Sequence, residues 1–311
     1  MLLDYPDSRD IGDKVFKLAH ISDPHLSAVP KLGFTDLASK RLFGLYNWRR
    51  NRVHAYAPAI LDALVADMKA AQPDHIAITG DLVNLGLGAE IIAAGQWLQS
   101  VAPPDEATLI PGNHDAYMPQ SIAGYLKEWS DYMTGDGASS DAVVFPFVRR
   151  RGPLALVGVS TAVATPPLMA TGEIGEGQAA ALAKILVGLA GEKRFRIVLI
   201  HHSPVKGATS WYRRLTDAGR VRRVLAEAGA ELVLHGHNHH THVDRLPGRD
   251  GPVPVVGVAA ASMLPSRGKP GGSYCLYEIG TETTTFSCKM TERGVRNPGG
   301  PVETLLEVTL A

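Results

Sequence analysis

The sequence predicts an α/β protein in which helices cover buried sheets. Three observations carry this. Short apolar runs rich in β-branched residues recur along the 311 residues, helical apolar spacing separates several of them, and polar or glycine-rich residues follow each run.

Taken in order, the runs are VFKLAHIS (15–22), HIAIT (75–79), ATLIP (107–111), LALVGVS (154–160), RIVLI (196–200) and ELVLH (231–235). Each is short enough to be a buried strand. Between the first two, Ile60, Leu61, Leu64, Val65 and Met68 fall on one helical face behind Pro58, a residue suited to a first helical turn. Similar patterns predict helices over 89–100, 121–133, 177–190 and 211–228. After residue 250 the helical patterns stop, and VPVVGVAAAS, SYCLYEIG, TTTFSCKM and TLLEVTL read as strands. This change predicts a second, more antiparallel sheet packed on the first. No stretch resembles a domain linker, so residues 1–311 are expected to form one domain, with an insert at about 28–57 and a strand-rich part from about 250.

Composition narrows the function. Hydrophobic residues at 45% allow a sizeable core. Lys plus Arg (31) equals Asp plus Glu (31), so no global field favours extended nucleic acid, and a charged partner must be held by a local patch. The two cysteines, Cys275 and Cys288, fit cytosolic thiols better than a disulfide framework. The opening MLLDYPDSRD lacks the basic start and apolar run of a secretory signal, and no stretch reaches about 18 uninterrupted apolar residues, so a cytoplasmic location is expected.

The chemistry sits just after the apolar runs. They lead into DPH (Asp23, His25), GDLVN (Asp81, Asn84), GNHD (Asn113, His114, Asp115), HHSP (His201, His202) and GHNH (His237, His239). In open α/β sheets the carboxyl ends of strands converge on the ligand crevice, so these loops can bring Asp, Asn and His to one place. Imidazole, carboxylate and amide oxygen suit Mn, Fe or Zn, and the absence of thiolate argues against a structural zinc or an iron–sulfur cluster. In DPH and GHNH the intervening residue of an extended segment would send both flanking side chains the same way. Asp23, His25, Asp81, Asn113, His201, His237 and His239 are too many for one closed site and divide into two if a carboxylate spans both metals, one oxygen to each.

These motifs, in this order, resemble those of the calcineurin-like metallophosphoesterases, from about Asp23 to His239. The resemblance implies a four-layer αββα sandwich of two mixed sheets flanked by helices. It also implies two divalent metal ions, Mn, Fe or Zn. One would be bound by Asp23, His25 and His239, the other by Asn113, His201 and His237, with Asp81 bridging. His201 rather than His202 is the ligand by motif alignment. His114 would face the scissile phosphate and Asp115 would orient it. Ser27 and Ser203 stand where the family often has glycine and proline, and neither removes a ligand.

The implied reaction is hydrolysis of a phosphodiester by a metal-bridging hydroxide, with His114 stabilising charge or protonating the leaving alkoxide. Cyclic nucleotides, glycerophosphodiesters and lipid- or nucleotide-linked phosphates are the expected substrates. Phosphomonoester hydrolysis, nuclease activity and a non-catalytic scaffold are the alternatives on the same fold. His20 and His75, within apolar runs, read as satisfied core residues and His54 as exposed; Asn84 either closes the turn after Asp81 or touches substrate.

The stretch KRLFGLYNWRRNR (40–52) alternates cations with Leu42, Phe43, Leu45, Tyr46 and Trp48. One reading is a cap helix that packs its apolar residues and solvates its charges. Others are a lid that holds substrate phosphate through Arg49, Arg50 and Arg52, and a basic amphipathic segment on an anionic membrane or an amphiphile. Aromatic residues among arginines also suit single-stranded nucleic acid.

Overall fold

The computed structural model describes residues 15–26, 40–48, 50, 55–266, 268–281 and 286–311. Its elements in chain order are β1 (Phe16–Ile21), α1 (Arg41–Asn47), α2 (Pro58–Ala70), β2 (His75–Ile78), α3 (Gly88–Val101), β3 (Ala107–Leu109) and α4 (Pro119–Glu128). Then come β4 (Phe147–Arg151), β5 (Leu154–Gly158), α5 (Glu176–Ala190), β6 (Phe195–Leu199), α6 (Ala218–Ala228), β7 (Leu232–His235), β8 (His242–Leu246) and β9 (Val253–Gly257). Three long strands close the chain: β10 (Ser273–Thr281), β11 (Phe286–Val295) and β12 (Val302–Thr309).

Two mixed six-stranded sheets result, in the orders β12-β11-β10-β1-β2-β3 and β4-β5-β6-β7-β9-β8. β1, β2 and β3 are parallel, as are β5, β6, β7 and β9. Alternation along the second sheet shows how the layers stack. Leu154, Leu156, Ile197, Leu199, Leu232 and Leu234 join the core shared with the first sheet and α2–α4. Ala155, Val157, Val198 and Val233 face the other way, onto Leu182 and Leu186 of α5 and Val221 and Leu225 of α6. The order is helices, sheet, sheet, helices, as in the metallo-dependent phosphatase fold.

The division of strands between sheets differs from the expected one. The strands after residue 250 do not make the second sheet. β9 enters it as an internal parallel strand, while β10 pairs antiparallel with β1 in the first. An apolar run reports that a strand is buried, not which neighbour it meets. The unbroken VPVVG of β9 suits an internal position, and the polar HVDRL of β8 suits an edge. β4 and β8 were hidden by their charges. In β4 the guanidinium of Arg149 is buried by donating to the carbonyls of Pro104, Ala107, Asp131 and Thr134.

Two helices are shorter than their periodicity suggests. The 121–133 pattern resolves into α4 and a single 3₁₀ turn, Ser130–Tyr132, where Trp129 is buried and its indole N–H donates to the Ile91 carbonyl. Of 211–228 only α6 is helical. The Asp217 carboxylate accepts the N–H groups of Ile174 and Gly175, which ties residues before α6 to another loop. Cys275 and Cys288 are buried thiols. Among the described residues no helix is long and apolar enough to cross a membrane.

Candidate metal centre

The loops that follow β1, β2, β3, β6 and β7 meet at one edge of the two sheets. The chain after β1 is laced to the chain after β2 by N–H donation from Asp23 to Gly80, from His25 to Asp81 and from Leu26 to Leu82. Gly236 donates to the His201 carbonyl within the second sheet's loops, and Ala261 donates to the Ser22 carbonyl, which joins the two sheets at this edge. Asp23, His25, Asp81, His237 and His239 have φ of 52°, 40°, 56°, 66° and 59°. The expectation of extended DPH and GHNH segments is therefore corrected: left-handed backbone, uncommon for residues with a side chain, makes these pairs converge. Two motif glycines leave the room they need. A Cβ on Gly112 would collide with Asp81 Oδ1, and one on Gly236 with Asp23 Oδ2 and the Ser22 hydroxyl.

Asp23, His25, Asp81 and His239 form one group whose donor atoms all lie within 4.8 Å of one another. His239 Nε2 is 3.1 Å from Asp23 Oδ1, and His25 Nε2 is 3.9 Å from both Asp23 Oδ1 and Asp81 Oδ2. A second group contains His201 and His237. His201 Nε2 stands 3.2 Å from Asn113 Oδ1 and 3.4 Å from Asp81 Oδ2. Asp81 thus lies between the groups, but not with one oxygen toward each. Oδ1 accepts the His114 N–H at 2.7 Å, and Oδ2 alone faces both His25 and His201.

His202 also falls in the second group by distance. Its Nδ1 is 2.8 Å from the Thr161 hydroxyl and its Nε2 3.2 Å from the Ala170 carbonyl, so protein partners occupy both nitrogens. His201 instead spends Nδ1 on the Thr79 carbonyl at 2.6 Å and turns Nε2 to the centre.

The donor set fits a pair of divalent metals. Metal-binding imidazoles characteristically have their other ring nitrogen held by an outer partner. Here that partner is the Val83 carbonyl for His25, the Thr79 carbonyl for His201, the Arg213 carbonyl for His237 and the Tyr56 hydroxyl for His239. Asp23 and Asp81 are buried, where an uncompensated carboxylate is costly. Burial would raise both, yet His239 and His201 hold Asp23, and His201 and His114 hold Asp81, below the usual carboxylate range. Burial pushes His201 down, and the carboxylates of Asp81 and Asp23 outweigh it, raising the metal-free imidazole to about 9, so a cation bound at Nε2 would have to displace a proton there. Burial, reinforced by His202 and His201, keeps His237 well below its ordinary value, so it is neutral, as a ligand must be.

His114 lines a cavity of 450 Å³ together with Asp81, Asn113, His237 and His239. The orienting role expected of Asp115 is corrected. Asp115 is fully buried and accepts the N–H groups of Asp81, Leu82, Val83 and Gly112, so it shapes the loop that presents Asp81. Burial and the Asp81 carboxylate push Asp115 up to about 7, against those donors. The partner of His114 Nδ1 is the Asn84 carbonyl at 2.6 Å. Asn84 itself is buried with Nδ2 on the Leu26 carbonyl, which removes it from substrate contact.

Arg49, Arg52, Ser27 and His54 lie outside the described residues, as do all of residues 28–39. Arg50 is exposed, donates to the Tyr46 hydroxyl, and does not line the cavity. The cap-helix reading is corrected in part: Leu45 and Trp48 are half-buried and Arg50 is solvated as it expects, but the other described apolar residues and cations are not so placed. Leu42, Phe43 and Tyr46 are exposed, while Lys40 donates to the Thr165 carbonyl and Arg41 to the carbonyls of Leu85 and Gly86. His20 and His75 are core residues as expected, but only half satisfied: Nε2 of each meets the hydroxyl of Thr79 or Thr108, while Nδ1 is buried without a hydrogen-bond partner among the described residues. Sequence reasoning missed Tyr56, Tyr117 and Arg213. Tyr117 stacks on His114, and an Arg213 terminal nitrogen donates to the His237 carbonyl. No spacing marks them, since Tyr56 is 183 residues from the His239 it supports.

A buried histidine–aspartate centre at the converging strand ends of an αββα sandwich defines a metal-dependent phosphoesterase class. The family model described as calcineurin-like phosphoesterase matches residues 16–241, and the chain belongs to that family. No curated protein matches it. Solved structures share the fold at low identity. A dimetal phosphatase from Danio rerio is 14% identical with a TM-score of 0.60, over 96% of this chain and 100% of that one. A purple acid phosphatase from yellow lupin (Lupinus luteus) seeds is 10% identical with a TM-score of 0.61, over 96% of this chain and 54% of that one. A 5'-nucleotidase precursor from Thermus thermophilus is 13% identical with a TM-score of 0.53, over 94% and 55%.

Proposed function

We propose that the protein hydrolyses a phosphodiester, small or amphiphilic, at a dinuclear centre held by Asp23, His25, Asp81 and His239 on one side and Asn113, His201, His237 and Asp81 on the other. The observation that carries the diester reading is the cavity's charge. Among the described lining residues Arg213 is the only Lys or Arg, and one of its terminal nitrogens already donates to the His237 carbonyl. A monoanionic diester needs less compensation than a dianionic monoester.

Two divalent cations supply Lewis acidity to the phosphoryl oxygens and lower the pKa of a bound water toward neutrality. The chain's residues do the rest. Asp81 and Asp23 fix the centre's charge, and Tyr56, Thr79, Val83 and Arg213 hold the imidazoles that face it. His114 lines the cavity with its Nδ1 donating to the Asn84 carbonyl, and its imidazolium is the proposed donor of a proton to the departing alkoxide as its P–O bond breaks. One water is consumed, giving a monoester and an alcohol. Cyclic nucleotides, glycerophosphodiesters and lipid- or nucleotide-linked phosphates fit this reading, as does a cytoplasmic setting with peripheral membrane contact through residues 40–52.

The test is a turnover panel on Mn-reconstituted protein, comparing a nitrophenyl monoester with aryl diester, cyclic nucleotide, glycerophosphodiester and lipid-linked pyrophosphate. At least about a tenfold advantage in kcat/KM is expected for the best diester. A preference for the monoester overturns the diester reading. A metal-loaded protein that turns over none of them favours the non-catalytic scaffold.

A further inference from the structure

α1 is attached to the protein at its N-terminal end by two cations. Lys40 Nζ is 2.7 Å from the Thr165 carbonyl, and Arg41 donates to the carbonyls of Leu85 and Gly86 at 3.1 and 2.8 Å. Three of its four large apolar side chains point outward, Leu42, Phe43 and Tyr46 at 47, 58 and 63% exposure, while Leu45 is half-buried. Two other segments do the same. Leu168 is 86% exposed, and Trp211 and Tyr212 are 65 and 42% exposed. These six account for more than half of the large hydrophobic side chains exposed among the described residues. Exposed apolar side chains gathered at one place mark a contact site, and one from each segment (Phe43, Leu168 and Tyr212) lines a single cavity.

Leu168 adds an independent observation. Its φ is 66°, a backbone region that a leucine enters only under strain. The loop therefore accepts backbone strain to present an apolar side chain to solvent, and strain of this kind concentrates at ligand clamps.

The position of this surface identifies its occupant. Phe43, Leu168 and Tyr212, one from each segment, line the same cavity as Asp81, Asn113 and His114. The apolar wall thus begins at the phosphoester chemistry and runs out to the surface, and the cavity's guanidinium, Arg213, lies among the same lining residues. We infer that the substrate is a phosphoester of an apolar alcohol, whose alkyl or aryl-alkyl arm lies across Phe43, Leu168 and Tyr212 while its phosphoryl group sits at the metal centre. This rests on the phosphoesterase reading.

The test uses two p-nitrophenyl phosphodiesters, the methyl and the decyl ester, with Mn-reconstituted protein below the aggregation threshold of the decyl ester. The decyl ester is expected to have a KM at least about tenfold lower, since each buried methylene adds to affinity. Phe43→Ser and Leu168→Ser should shrink that ratio, the second at a site too exposed to unfold the protein. Ile92→Ser, an exposed residue of α3 outside the cavity, should leave it unchanged. Calorimetric binding of decylphosphonate against methylphosphonate reads the same preference without turnover. Equal KM and equal binding for the two chain lengths overturn the inference and leave the phosphoesterase reading standing. Chain-length-dependent binding without hydrolysis of either ester overturns the phosphodiester reading and leaves the apolar wall as the site of the ligand's arm. If chain length has no effect while Leu168→Ser weakens sedimentation with phosphatidylglycerol vesicles, the surface is a membrane contact and the inference is overturned.

Discussion

His201 Nε2 stands 3.4 Å from Asp81 Oδ2 because Nδ1 of the same ring is held by the Thr79 carbonyl at 2.6 Å. The adjacent His202 has both nitrogens committed, to Thr161 and Ala170. His201→Ala is therefore expected to lose bound Mn and activity together, and Asp81→Ala to lose both metals. His202→Asn should keep its metal stoichiometry, measured by elemental analysis of dialysed protein. The opposite pattern would assign the ligand to His202.

His114 is separated from the centre by role. It touches Asp81 through its backbone N–H and presents its ring to the cavity. His114→Ala is expected to retain both metals and lose about 10² to 10⁴ in kcat, the usual scale for a positioned acid. Full activity in the metal-loaded variant would sink the proton-transfer role. The loss should be smaller for substrates with nitrophenolate leaving groups, which need no proton.

Metal loading should stabilise the fold. The centre ties loops from both sheets, so an ion bound there binds the native chain and not the unfolded one. At about 100 times its Kd, Mn is expected to add about 2.7 kcal/mol, seen as a rise in Tm that a chelator reverses. A Tm insensitive to Mn would mean that these residues hold no metal in solution.

Away from the centre, Asp67 of α2 pairs with Arg293 of β11 and accepts the Tyr274 hydroxyl. Hydrogen bonds from Arg293 hold the Asp67 carboxyl below its ordinary value. A carboxyl depressed in the folded state contributes stability that is fully present above its unfolded pKa, about 3.9, and is lost as pH falls through the folded value. Asp67→Asn should cost about 1 to 2 kcal/mol at pH 7, because the pair is partly exposed, and much less near pH 2. Denaturant midpoints at the two pH values check this. An equal cost at both would exclude the ionic contribution.

The legibility of the sequence follows the range of the interactions. The runs that become β1, β2, β5, β6 and β7 were readable because burial on both faces is a local property of composition. β4 and β8 were not, because Arg149 is buried by carbonyls 15 to 45 residues away, and β8 is a polar edge. For the same reason the sheet membership of β9 and β10 could not be read.

At the site, the sequence by itself determined which residue types stand after each strand, and hence the metal chemistry and the set of donors. Only the tertiary structure decided how they are used. It turned Asp81 Oδ2 rather than both oxygens toward the two groups, committed both nitrogens of His202 to Thr161 and Ala170, moved Asp115 from His114 to the backbone around Asp81, and set Phe43, Leu168 and Tyr212 around one cavity. Residue identity fixes what a side chain can donate or accept. Which partner takes each nitrogen or oxygen is settled only when backbone carbonyls distant in sequence are packed against it.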